Sequence, residues 1–176
     1  MPETVGTLKI GSLLTARLYE PKDKSLSIEF LKAHPVTTHP KLYREVKGGR
    51  RQVKDRVVTD AFCAMLVDEL QSSQPTFSTF KWHHSGTGTT AEAAAQTDLV
   101  TPVSTRDEGS LTETSAKVFK SVGTTTYSGT YAITEHGLFS AETSGTMMDR
   151  SKFDAINVVS GNQIEWTYEL TVSSGG

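Results

Sequence analysis

Residues 164–172, Ile-Glu-Trp-Thr-Tyr-Glu-Leu-Thr-Val, alternate large apolar side chains with polar ones without a break. Such alternation is typical of a half-buried strand, because successive side chains point to opposite faces of a sheet. The apolar face builds a core and consists of Ile164, Trp166, Tyr168, Leu170 and Val172. The polar face meets solvent or a partner and consists of Glu165, Thr167, Glu169 and Thr171.

Further short strands are predicted before this one, separated by glycine-containing turns. The candidates are residues 77–82, 116–122, 124–134, 137–142, 146–149 and 153–159. Gly161 and Asn162 are typical of a tight hairpin turn, which would pair residues 155–159 with residues 164–172. Short strands with close turns predict a mainly β protein, either an antiparallel β-sandwich or a jelly-roll-like barrel.

One amphipathic helix is predicted after residue 57, where the apolar spacing becomes helical. Its apolar stripe consists of Val58, Ala61, Phe62, Met65, Leu66 and Leu70. Thr59 or Asp55 can cap this helix, whose stripe we expect to cover one side or end of the sheet. Cys63 is the only cysteine and lies within the segment, so we expect a packed thiol and no disulfide framework.

Charge is unevenly distributed along the 176 residues. Residues 1–56 hold 12 Lys and Arg against 6 Asp and Glu, whereas residues 57–176 hold 6 against 14. The asymmetry predicts a basic extended arm or hairpin over residues 1–56 and a helix plus β-sandwich domain over residues 57–176. Within the first part we expect a hairpin centred on residues 21–24, with residues 25–31 as a strand.

The most basic segment, residues 41–56, is a candidate contact surface, with Gly48-Gly49 as a flexible tip or tight turn. A single aromatic residue, Tyr43, offers little stacking, which favours solvent or an acidic protein over nucleic acid. The basic candidates for partner binding are Lys41, Arg44, Lys47, Arg50, Arg51 and Lys54. Glu165 and Glu169 complement them as a docking surface for a basic partner, for example the same segment of a neighbouring copy.

No motif in the sequence indicates a reaction. His83, His84, Glu135 and His136 could bind zinc or copper, but adjacent histidines on a strand point to opposite faces, which favours structural histidines. The loop around Gly86 and Gly88, followed by a predicted short helix at residues 91–95, lacks the lysine of a phosphate-binding loop. Without a Gly-x-Ser-x-Gly elbow either, we expect no enzyme, no catalytic residue, no metal and no cofactor.

Four aromatic residues could form a carbohydrate platform, namely Trp82, Trp166, Tyr127 and Tyr131. Aromatic residues more often fill a core or a subunit interface, and that interpretation is favoured here. No charged region followed by an apolar run begins the sequence, and no stretch approaches the roughly 20 apolar residues that span a bilayer. We therefore expect a soluble protein made in the cytoplasm.

Three segments together resemble tailed-bacteriophage virion proteins. They are Trp-His-His-Ser-Gly-Thr-Gly-Thr-Thr-Ala at residues 82–91, Ala-Ile-Thr-Glu-His-Gly-Leu-Phe at residues 132–139, and Gly-Thr-Met-Met-Asp-Arg-Ser-Lys-Phe at residues 145–153. With residues 98–99, Pro102, residues 155–158 and the final strand, they are similar to a small β-rich structural domain of these particles. The resemblance covers residues 57–176.

This resemblance implies a non-enzymatic component of the virion. The expected role is a capsid decoration or cement protein that clamps major capsid subunits, often as a homotrimer, with a tail, collar or fibre-attachment component as the alternative. A host-glycan-binding module is an alternative of another class. The resemblance transfers no catalytic or ligand-binding residue, because its motifs consist of turn glycines, the Asp149-Arg150 pair and apolar residues.

Overall fold

A computed structural model describes residues 8–71, 77–112 and 115–174. The described residues are mainly β, and their two antiparallel sheets confirm the predicted sandwich. The first strands are β1 (Leu8–Pro21), β2 (Tyr43–Lys54), β3 (Val57–Val58), β4 (Trp82–Gly86) and β5 (Pro102–Glu108). They are followed by β6 (Ser110–Leu111), β7 (Val118–Thr126), β8 (Tyr131–Phe139), β9 (Met147–Val158) and β10 (Gln163–Ser174). Two α-helices, α1 (Ile28–Ala33) and α2 (Asp60–Gln71), lie in the connections.

Strand β10 is the middle strand of sheet A, whose order is β2-β1-β10-β7-β6. Its alternation is as predicted: the side chains of Ile164, Trp166, Tyr168 and Leu170 are buried. Val172 differs, because it lies towards the end of the strand and is 37% exposed. The polar residues between them face away from the core, so β10 supplies one wall of the sandwich interior.

Sheet B has the order β3-β9-β8-β4-β5 and packs against sheet A. The core between the sheets joins residues of β1 and β10 to residues of β8 and β9, among them Ala16, Trp166, Ile133, Ile156 and Val158. Burial of these apolar side chains is the main stabilising contribution to such a fold.

The predicted hairpin at Gly161-Asn162 is wrong in its pairing, although the tight turn exists. Gly161 has a φ of 86°, and the amide of Asn162 donates to the carbonyl of Val159. However, β9 pairs with β8 and β3, whereas β10 pairs with β1 and β7. The turn is therefore a corner that carries the chain from sheet B to sheet A.

Residues 8–56 lie within the sandwich. Strand β1 pairs along most of its length with β10, and its residues Leu14, Ala16 and Leu18 are in the main core. Strand β2 pairs antiparallel with β1 as the edge strand of sheet A. A boundary at residue 56 thus separates two differently charged segments that share one core.

Two local predictions within residues 21–56 are wrong. Residues 25–31 do not form a strand, because helix α1 begins at Ile28, where the Oγ of Ser27 accepts a hydrogen bond from the amide of Phe30. Gly48 and Gly49 do not form a turn but lie inside β2, beside a register shift. A Cβ on Gly49 would lie 2.6 Å from the Cβ of Leu18, so the strand needs glycine there for close packing.

Helix α2 confirms the predicted amphipathic helix and its cap. The Oγ1 of Thr59 accepts a hydrogen bond from the amide of Phe62, whose side chain is buried against Phe80. The prediction for Cys63 is wrong, because this thiol is exposed. It directly follows Phe62 and so turns to the outer side of the helix.

Three further local predictions of secondary structure are wrong. Residues 77–82 form a short 3-10 helix at Phe77–Thr79 before β4 begins at Trp82. Residues 91–95 are not helical but belong to an irregular connection between β4 and β5. Gly123 does not separate two strands, because it lies inside β7.

Candidate functional site

The six basic candidates lie on or beside β2, the edge strand of sheet A. Arg44 and Arg51 are engaged within the chain: Arg44 Nε is 2.7 Å from Glu20 Oε1, and the Arg51 guanidinium donates to the carbonyls of Asp154 and Ala155 on β9. The Lys41 side chain is exposed just before the strand. Within the described part of the chain Lys41 makes no ion pair, and neither do the three exposed basic side chains on the strand itself, Lys47, Arg50 and Lys54.

The two acidic candidates lie on the outer face of the same sheet. Glu165 is opposite Arg17 on β1 and pairs with it at 3.3 Å, and Arg17 is in turn opposite Arg50 on β2. Glu169 pairs with Lys120 on β7 at 3.7 Å. Both carboxylates are thus partly neutralised by neighbouring strands of their own chain, which leaves the β2 edge as the more available charged surface.

Two of the four candidate metal ligands meet in the core. His83 Nδ1 is 3.0 Å from His136 Nε2, and His83 Nε2 is 2.9 Å from the hydroxyl of Ser121. His136 also packs on Trp166, with ring centroids 4.6 Å apart. Burial lowers the pKa of His83 to about 3 and the pKa of His136 well below its usual value, so both imidazoles are neutral.

The other two candidates point elsewhere. Glu135 lies on the opposite face of β8 from His136, as alternation along a strand requires. His84 faces away from His83, and its Nε2 bonds the carbonyl of Ser104. Within the residues that the structure describes, no group of three or more His, Cys, Asp and Glu side chains is placed to hold a metal ion.

Glu135 instead forms a fully buried ion pair that the sequence did not indicate. Its Oε2 is 2.8 Å from the Nε and the Nη2 of Arg150, and both side chains have no exposed surface. Burial acts to raise the pKa of Glu135, but hydrogen bonds from the Thr101 amide and Arg150 outweigh it and hold the pKa below its usual value. The pair is therefore ionised, and its charges are balanced inside the protein.

The same pair holds the connection between β4 and β5 against the outer face of sheet B. Glu135 accepts hydrogen bonds from the amides of Gly88, Val100 and Thr101, and Arg150 donates to the carbonyl of Thr90. A Cβ added to Gly88 would lie 2.4 Å from Glu135 Oε1. The Gly-Thr-Gly motif thus serves close approach to a carboxylate, and no phosphate is needed to explain it.

A third polar group is buried between the sheets on β9. Asp149 accepts a hydrogen bond from the hydroxyl of Ser151 at 2.7 Å, but its Oδ2 has no partner. The hydroxyl of Tyr168 is likewise buried without a partner. Burial raises the pKa of Asp149 to about 7 and the pKa of Tyr168 well above its usual value. Asp149 is therefore largely protonated below neutral pH.

The four aromatic residues considered for a carbohydrate platform lie in the core or pack against it. Trp166 is fully buried, with its Nε1 donating to the hydroxyl of Thr125, and Tyr127 is buried with its hydroxyl 2.9 Å from that of Ser85. Trp82 and Tyr131 are half-buried and pack against core clusters. These four residues do not form a common exposed platform for a sugar ring.

No family model, curated protein or solved structure matches this chain. Neither α-helix in the described residues is long and apolar enough to cross a membrane.

Proposed function

We propose that the chain is a structural component of a tailed-bacteriophage particle, foremost a capsid decoration or cement protein that clamps major capsid subunits. It is made in the host cytoplasm and acts on the virion as a homo-oligomer, with a trimer as the favoured form. Its role requires no catalysis. The resemblance of residues 57–176 to such virion domains is the starting point, and the structure supplies the physical argument.

The observation that carries the proposal is where the shared motifs lie. Their distinctive polar groups, His83, Glu135, His136, Asp149 and Arg150, are all buried and surrounded by protein. Groups in such positions keep a sandwich rigid but cannot reach a substrate. A rigid interior with charges on the outer surface suits a repeated clamp on a shell, since many weak contacts repeated by symmetry give high avidity.

The exposed edge of sheet A is the proposed contact surface. Lys47, Arg50 and Lys54 project from the edge strand β2 and keep their charges available for acidic groups of a capsid subunit or a neighbouring copy. Charged edge strands also discourage unspecific strand pairing. A specific binding role of Lys47, Arg50 and Lys54 is therefore tested by measuring how their charges affect attachment to the particle.

The location of the protein tests the function itself. Cryo-electron microscopy of purified particles, with copy number from quantitative mass spectrometry, is expected to place the protein over the whole head shell. A single ring at one vertex would instead indicate a tail, collar or fibre-attachment component. Absence from particles, together with specific binding on a glycan array, would reject the structural role in favour of host-glycan binding.

A charge reversal tests the contact surface. Arg50→Glu together with Lys54→Glu is expected to weaken attachment to heads at least tenfold and to reduce its dependence on salt. Lys32→Glu with Lys117→Glu is the matched control, because it changes the net charge equally at exposed positions outside β2. Equal losses in both variants would mean that only overall charge matters. Deleting residues 1–54 is not a usable test, since it removes both β1 and β2 from sheet A.

A further inference from the structure

A pair of imidazoles lies on the connection between β1 and β2, away from the buried histidines: His34 is half-buried and His39 is exposed. His34 ends helix α1, and His39 immediately precedes a short 3-10 helix, Pro40–Leu42. Their ring centroids are 4.7 Å apart with an interplanar angle of 74°, and the ring of His34 also stacks on Phe30 at 4.1 Å. The rings line one open groove with Thr38, Lys41 and Leu42.

Hydrogen bonds fix the tautomer of His34 and favour the same tautomer in His39. His34 Nδ1 is 2.8 Å from the carbonyl of Phe30, which can only accept, so this nitrogen carries the proton. The hydroxyl of Thr38 donates to the carbonyl of Pro35 at 3.2 Å and lies 2.9 Å from His39 Nδ1. Both contacts are satisfied when His39 Nδ1 also carries its proton. The Nε2 lone pair of each ring is then free.

This is the arrangement that metal-binding histidines use. A ligating imidazole usually donates its second nitrogen to a carbonyl or another acceptor, which orients the ring and raises its basicity. Neither Nε2 has a hydrogen-bond partner among the described residues. The lone pairs are therefore available without breaking any contact of the fold.

The spacing of the rings also suits a shared ion. An ion bound at about 2.1 Å from each Nε2 lies roughly 3 Å from each ring centroid. Two centroids 4.7 Å apart then correspond to two bonds at roughly a right angle. Both rings border the open groove, so rotation about their side-chain bonds can direct the two lone pairs to one point.

We propose that His34 and His39 form a two-imidazole site for a divalent transition-metal ion of the Cu²⁺, Ni²⁺ and Zn²⁺ class, with water completing the coordination. The ion ties the end of α1 to the start of the 3-10 helix and stabilises the connection whose Leu31 and Val36 pack with Tyr43 of β2. The protein supplies only these two ligands, in agreement with the lack of any three-residue ligand group in the described chain.

The remaining histidines make the test clean. His83, His84 and His136 are buried, which leaves His34 and His39 as the accessible imidazoles among the five histidines of the chain. The exposed thiol of Cys63 lies on α2 and is the other soft group to control for. Cys63→Ser is therefore the matched control variant.

Isothermal titration of the full chain with CuCl₂, NiCl₂ and ZnCl₂ in a non-chelating buffer tests the site. We expect one ion per chain, with Cu²⁺ bound most tightly, and at least tenfold weaker binding in both His39→Ala and His34→Ala. Cys63→Ser should bind like the wild type. A rise of the melting temperature with Cu²⁺ in the wild type but not in His39→Ala is the second expected result.

Other outcomes overturn the proposal. No binding below millimolar metal, unchanged affinity in His39→Ala, or loss of binding in Cys63→Ser would each do so. Two ions per chain, each lost with one histidine, would show that the rings bind separately. His39→Ala decides the matter if His34→Ala disturbs the end of α1, because His39 is exposed and outside any α-helix.

Discussion

Asp149 offers the sharpest test of the buried structure, because its environment predicts both the sign and the size of an effect. Replacement by Asn keeps the shape of the side chain and an acceptor for the Ser151 hydroxyl, but the amide cannot ionise. It also places an NH₂ group where Asp149 has an oxygen without a donor. The variant therefore removes one charge from the core and little else.

The sign follows from linkage between protonation and folding. Burial raises the pKa of Asp149 from 3.8 to about 7, so between these values the native state keeps a proton that the unfolded state has lost. This group consequently makes the native state less stable as the pH rises through that window. Above pH 8 its contribution no longer changes. Asp149→Asn cannot ionise at this position and so does not lose this part of its stability as the pH rises.

The size follows from the same displacement of the pKa. About three pH units correspond to about 4 kcal/mol between the extremes of the window, and about 2–3 kcal/mol of this falls between pH 5 and pH 8. Asp149→Asn should therefore gain about 2–3 kcal/mol relative to the wild type over that range. Other titrating groups are common to both proteins and cancel in the difference.

Urea denaturation at pH 5, 6, 7 and 8 measures the difference in unfolding free energy between the two proteins. Asp154→Asn, an exposed position on the same strand, is the control and should change stability little at any of these pH values. A difference for Asp149→Asn that stays constant within about 0.5 kcal/mol from pH 5 to pH 8 would refute the reasoning. It would mean that the carboxyl is hydrated or paired in solution.

Three further substitutions test the packing around this core by the same denaturation assay. Arg150→Met leaves the charge of Glu135 buried and unpaired, so we expect the unfolding free energy to fall by about 3–5 kcal/mol. Adding Glu135→Gln to this variant should recover part of that loss. A loss below about 1 kcal/mol in Arg150→Met would contradict the buried pair. Gly88→Ala pushes a methyl group against Glu135 and should lower the unfolding free energy by about 1–3 kcal/mol. The loss should be smaller in Gly48→Ala, where the space is open and only the φ of 79° opposes a side chain. Thr59→Ala removes the cap of α2 and a buried hydrogen bond to the carbonyl of Met147, so we expect the unfolding free energy to fall by about 1–2 kcal/mol. Ser27→Ala removes the cap of the short exposed helix α1 and should lower it by less.

The sequence predicts those elements whose signal is local. The alternation in β10 and the helical spacing after residue 57 are complete within the segments themselves, and both elements form as expected. The pairing of strands is not a local property. The Gly161-Asn162 turn is compatible both with a strand that returns along β9 and with a strand that crosses to the other sheet. Packing of the rest of the core determines which strand β10 pairs with.

Glycine is where the sequence misleads most. Gly49 and Gly123 suggested turns, yet both lie inside strands where another group approaches closely. At Gly123 that group is the ring of His83, which would lie 2.4 Å from an added Cβ. Since the neighbouring atom comes from a distant part of the chain, the glycine alone cannot distinguish a turn from a close contact.

The histidine and glutamate cluster was partly predictable. Alternation along a strand correctly places His83 and His84 on different faces, and Glu135 and His136 likewise. What the sequence did not reveal was the partner of Glu135. The signal was present in Arg150, a charged residue inside a strand segment, but its spatial neighbour is 15 positions away on another strand.

The structure gives a physical reason for the order of motifs along the chain. Residues 82–91 supply Gly88 and His83, residues 132–139 supply Glu135 and His136, and residues 145–153 supply Arg150. All three segments contribute to the Glu135–Arg150 ion pair and its hydrogen bonds. The first two also bring His83 and His136 together, next to Ser121 and Trp166 of sheet A. Such residues must change together or not at all, because each leaves a buried polar group unsatisfied when its partner is lost. These residues lie in the interior, so substitutions of exposed residues leave the ion pair and the histidine contact in place. If the proposed structural role is correct, contact with a partner is best tested through the exposed charges of β2, where substitutions can alter attachment without touching this interior.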